Sequence, residues 1–60
     1  MKQQMTLEEY KKKVIELLIT KHNYTTEEAK EFLMNPEELW LQLMKDFSPE
    51  IAAQYLNSGL

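Results

Sequence analysis

YTTEEAKEFLMNPEELWLQLMKDFSPE, residues 24–50, holds three helix starts in succession. In Thr25-Thr26-Glu27-Glu28 a threonine stands three positions before a glutamate. The Thr25 hydroxyl can then accept from the Glu28 amide while the Glu28 carboxylate returns to the Thr25 amide. Asn35-Pro36-Glu37-Glu38 repeats the spacing, with Pro36 suited to the first helical position. Ser48-Pro49-Glu50 makes the third start. Each has an apolar pair able to staple it, Tyr24 with Ala29, Met34 with Leu39, and Phe47 with Ala52.

Upstream the same device appears once more, at Thr6-Leu7-Glu8-Glu9 with Met5 and Tyr10 as the flanking pair. Downstream, Asn57-Ser58-Gly59-Leu60 reads as a stop, because Gly59 can take the left-handed conformation that ends helices. Asn23 suits the turn after the first helix, since asparagine tolerates positive φ. These signals predict helices at about 7–21, 26–33, 36–46 and 49–57. No segment sustains the two-residue alternation of a strand. The expected fold is all-α, a compact bundle of four short helices, formed by residues 1–60 as a single helical domain. Residues 1–5, ahead of the first cap, are expected to fray.

A helix advances about 100° per residue, which sorts the apolar side chains into faces. Leu7, Tyr10, Val14, Leu17 and Leu18 form one stripe on the first helix, with Ile15 and Ile19 widening it on one side. The second offers Ala29, Phe32 and Leu33; the fourth offers Ile51, Ala52, Tyr55 and Leu56. The third is apolar on most sides. Leu39, Trp40, Leu43 and Phe47 share a face, Met44 lies at its edge, and Leu41 points nearly opposite Leu39. Such a helix is either central to its bundle or carries a docking surface.

With 60 residues, no cysteine and 43% hydrophobic residues, the chain has material for a core but neither disulfide nor thiolate metal site to reinforce it. A domain this size buries only about 60% of its unfolded surface. The net charge of −3 is unevenly spread. Residues 1–24 hold five lysines against three glutamates, a sum of +2; residues 25–60 hold two lysines against seven acids, a sum of −5. There is no arginine, the side chain best suited to read bases and phosphates. Nucleic acid is therefore not an expected partner. A helix-turn-helix made by the second and third helices would turn Glu37 and Glu38 toward DNA and be repelled. An acidic nucleic-acid mimic, using Glu27, Glu28, Glu31, Glu37, Glu38, Asp46 and Glu50, is a further alternative. The apolar runs are too short to span a membrane, and a polar start shows no targeting signal, so a cytoplasmic protein is expected.

Little chemistry is on offer. The paired glutamates Glu8-Glu9, Glu27-Glu28 and Glu37-Glu38 each open a helix, where the helix dipole favours negative charge. His22 ends the first helix, where a cation suits the opposite pole. Ser48 is accounted for as a cap, Lys11-Lys12-Lys13 as a solvated face or a contact for an acidic protein. A lone histidine and no cysteine leave no metal site, and no cofactor or enzymatic role is expected.

The run VIELLITKHNYTTEEAKEFLMNPEELWLQLM resembles ubiquitin-associated (UBA-like) three-helix modules, in which a Met-Gly-Phe/Tyr turn precedes a capped Ser/Thr-x-Glu-Glu-Ala helix. Tyr24, Thr25 and Glu27-Glu28-Ala29 match, but His22-Asn23 stand where that family has Met-Gly. Ubiquitin binding therefore does not carry over. The chain also resembles small uncharacterised helical proteins of Gram-positive bacteria and their phages, which implies a compact adaptor or inhibitor acting by contact.

The expectation from the residues is thus a protein-interaction module that binds a protein partner, self-associates as a homodimer, or both. The candidate partner-binding residues are Ile15, Ile19, Trp40, Leu41 and Met44, with Trp40 and Leu41 as central anchors, because aromatic and large apolar side chains dominate such contacts.

Overall fold

A computed structural model describes residues 5–58. Four α-helices follow one another, α1 (Leu7–Lys21), α2 (Thr26–Lys30), α3 (Glu37–Asp46) and α4 (Pro49–Asn57), with a 3-10 turn at Glu31–Met34 continuing α2. No strand occurs among the described residues. The chain is an all-α bundle, as the punctuation predicts. The stop at Gly59 and most of the N-terminal segment lie outside the described residues.

Three of the four helix starts form by side-chain capping. Thr6 N–H donates to Glu9 Oε1 at 3.0 Å and Glu9 N–H to Thr6 Oγ1 at 3.2 Å. The Thr25 and Glu28 pair does the same, with both bonds 3.1 Å. Ser48 Oγ accepts from Ile51 N–H at 3.4 Å, and Pro49 opens α4.

The start of α3 departs from expectation. Pro36, not Asn35, is the N-cap, and no side chain caps the helix. A residue before proline is pushed out of the helical region, and Asn35 is extended at φ −66°, ψ 152°. Pro36 is extended in turn, so the helix begins one residue later, at Glu37. Met34 is 84% exposed and does not staple Leu39.

Between α1 and α2, Asn23 takes φ 62° as its residue type suggests. Leu18 O accepts from both His22 N–H and Tyr24 N–H, at 3.2 and 3.1 Å, so one carbonyl closes the helix and holds the reversal.

The central helix is α1, not α3. It packs on α2, α3 and, most extensively, α4, whereas α3 touches α1 and α4. Five of eleven buried apolar residues come from it: Tyr10, Val14, Ile15, Leu17 and Leu18. Opposite them lie Ala29, Trp40, Leu43, Ala52, Ala53 and Leu56. The face of α4 is rotated from the expected one: Ala53 is buried, while Ile51 and Tyr55 stand 46% and 43% exposed. Ala52 and Ala53 together present a small-residue surface, which lets the helix axes approach closely.

Tyr10 ties the start of α1 to the end of α3. Its hydroxyl lies 2.9 Å from Leu43 O and 2.8 Å from Phe47 O, so its one proton is shared between carbonyls at the C-terminal end of α3. Leu43 O also accepts from Phe47 N–H at 2.7 Å, whereas Phe47 O lies past the helix end, where carbonyls lack intrahelical donors. The ring meets Trp40 edge-on, 6.5 Å between centroids and 80° between planes. Burial pushes the phenol pKa up to about 12.

Candidate functional site

Burial divides the five expected contact residues. Trp40 is fully enclosed, and this corrects its place as an anchor: it belongs to the core, between Tyr10 and the neighbouring helices, and has no surface to give a partner. Its indole N–H has no hydrogen-bond partner among the described residues. That leaves an unmet polar group costing about 1–3 kcal/mol, offset by the area the ring buries. Ile15 is 9% exposed, and Ile19 and Met44 are half-buried against the core. Only Leu41 stands out, at 48% exposure, beside Glu38, Gln42 and Lys45. The five do not form one surface.

What Ile15 does join is a groove between α1 and the 3-10 turn, of about 700 Å³. Ile15 and Leu33 supply its apolar lining; Lys11, Lys12 and Lys30 stand around it with Glu8 and Glu9. The positions on α1 follow from periodicity, since residues 8, 11, 12 and 15 recur at three- and four-residue steps on one face. Glu9 is held by its bond from Thr6 N–H, so part of its charge is committed to the cap. The three lysines leave the groove with a positive surplus in a chain whose net charge is −3.

Leu33 was expected among the buried residues of the second helix, yet it is 42% exposed. The cause is the tightening of the backbone at Glu31. A 3-10 helix turns about 120° per residue instead of 100°, so residues after Glu31 slip progressively off the α-helical face. Phe32 remains half-buried against Tyr24, with ring centroids 5.8 Å apart, while Leu33 and Met34 swing outward. Sequence reasoning missed Leu33 for this reason. The available signal was the pair of consecutive apolar residues before Asn35-Pro36, where proline forbids the helix from continuing in register.

A second exposed apolar strip runs along α4. Ile51 and Tyr55, four residues apart, share a flank, and the Phe47 ring lies 5.4 Å from that of Tyr55 at a tilt of 32°.

Among the described residues no group of three or more His, Cys, Asp or Glu side chains is placed to hold a metal ion. No described helix is long and apolar enough to cross a membrane. No protein-family model, characterised protein or solved structure matches the chain.

Proposed function

We propose that the chain is a small contact module, an adaptor or inhibitor that binds a protein partner through the groove between α1 and the 3-10 turn. The observation that carries this reading is the groove itself: Ile15 and Leu33 form an apolar lining framed by Lys11, Lys12 and Lys30. An apolar groove with a charged rim is the geometry in which an amphipathic segment docks. The positive surplus favours a segment with acidic residues beside its apolar anchor. Leu33 is the side chain with the most to gain, because its exposed part would leave water on binding.

The reading is non-catalytic. Glu9 and Glu28 are engaged by backbone amides in their capping boxes, and Ser48 Oγ accepts from Ile51 N–H. These side chains already serve the fold. A phage or mobile-element inhibitor of a host protein is the narrower form of the proposal, and it rests on resemblance.

A second reading, a homodimer, is favoured by the exposed strip of Ile51 and Tyr55 on α4, with the Phe47 ring beside Tyr55, which lies away from the helix and turn that form the groove. The two separate by mutation. Binding to an isolated partner, measured by calorimetry with purified components, is expected to fall at least tenfold in Leu33→Glu while Tyr55→Glu leaves it unchanged. Equal affinity of the Leu33→Glu and parent chains would remove the groove from the function.

A further inference from the structure

Ile15, 9% exposed, and Leu33, 42% exposed, give the α1 groove a short apolar stripe with charge on both walls: Lys11 and Lys12 on α1, Lys30 at the end of α2. Along α1 the lining runs from Glu8 to Ile15, which is about 10 Å or two helical turns. Both walls are helical, α1 on one side and the end of α2 with its 3-10 turn on the other. Such walls offer no ladder of free backbone donors and acceptors to an extended chain. An extended segment lying on Ile15 and Leu33 would leave amides of its own without partners, whereas a helix satisfies them internally.

Resting on the docking role proposed for this groove, we infer that its occupant is two turns of an amphipathic α-helix, with a pair of apolar side chains four residues apart and carboxylates on both flanks of that pair. Apolar side chains at that spacing share one helix face and can cover Ile15 and Leu33 together. Carboxylates on one flank meet Lys11 and Lys12, and those on the other meet Lys30. Glu9 opposes them little, because its carboxylate accepts from Thr6 N–H in the capping box. Glu8 stands two turns from Ile15, so the end of the partner helix that lies over it carries no acid. A second copy of the chain lacks this pattern on its outer helix faces. Leu41 on α3 has Glu38 a turn before it and Lys45 a turn after it. Ile51 and Tyr55 share α4 with Glu50, the only charged residue of that helix.

The test is a titration of the isotope-labelled full chain with three synthetic peptides, followed by NMR through the amides of Ile15 and Leu33. One peptide is a helix former with two leucines four residues apart and glutamates on both flanks. The second has lysines in place of the glutamates, and the third has a proline between the leucines. The first is expected to shift both amides and to bind about tenfold more tightly than either of the others. Lys30→Glu should weaken the glutamate peptide roughly three- to tenfold and strengthen the lysine peptide. Lys12→Glu repeats the measurement on the other wall, with the helicity of both variants checked by circular dichroism. Equal binding of the proline peptide would overturn the helical occupant, as would no shift with the helix former or no preference for glutamate over lysine. Shifts of these amides on concentrating the chain alone would place a second copy in the groove and overturn it as well. Failure of the groove itself shows separately, as equal affinity of the Leu33→Glu and parent chains for an isolated partner.

Discussion

Tyr10 shows how much one side chain contributes in so small a core. Its hydroxyl proton is shared by Leu43 O and Phe47 O, and its ring seats Trp40. Tyr10→Phe keeps the ring and removes the donor, so urea denaturation should show a loss of about 1–2 kcal/mol. The phenol also makes stability depend on pH. Its folded pKa of about 12 lies above the ordinary phenol value of 10.0. The folded state therefore holds this proton more tightly, and the stabilisation is fully present below pH 10. It is lost as pH rises from 10 through 12. Alkaline melting curves should show this loss in the parent chain and a smaller one in Tyr10→Phe; identical curves would mean that the phenol is not buried as described.

At the scale of the helices, local chemistry was legible wherever side chain and backbone settle the matter between themselves. The boxes at Thr6 and Thr25, the Ser48 cap and the Asn23 reversal could all be read from neighbouring residues. The start of α3 could not. There the sequence offers Asn35 as a cap, but the proline that follows imposes extended geometry first. The two cases predict different costs. Thr25→Ala should lower stability by about 0.5–2 kcal/mol, whereas Asn35→Ala should change it by less than about 0.5 kcal/mol. Thermal melts of the two variants make the comparison. The face of α4 was half legible: Ala52 and Leu56 are buried as expected. Packing on α1 adds Ala53 to them and leaves the larger Ile51 and Tyr55 outside. Ala53→Leu should then force the helices apart at a cost of about 1–3 kcal/mol, a larger effect than any substitution of Ile51 by another aliphatic residue.

For the molecule as a whole, the class of fold was written in the order of its caps, while the site was only half legible. Periodicity marks which residues are apolar, but which apolar face is covered depends on which helix becomes central. With α1 in that place, Trp40 and Leu43 turn inward and only Leu41 of α3 stays well exposed. The groove beside Ile15 appears because the 3-10 turn carries Leu33 outward, a backbone change that a fixed angle per residue does not register. The uneven charge was visible from the start. It has its structural counterpart in lysines framing that groove and in Glu28 and Glu31 on a pocket lined by Tyr24 and Phe32.

The chain hides its own tryptophan, and we propose that its lysine-framed groove receives a partner other than a second copy of itself. Sedimentation velocity over a wide range of concentrations tests that most directly, run on the parent chain and on Leu33→Glu. Leu33→Glu is predicted to sediment as the parent chain does at every concentration. A parent dimer that Leu33→Glu disperses would contradict the account, because the groove would then be filled by the protein itself.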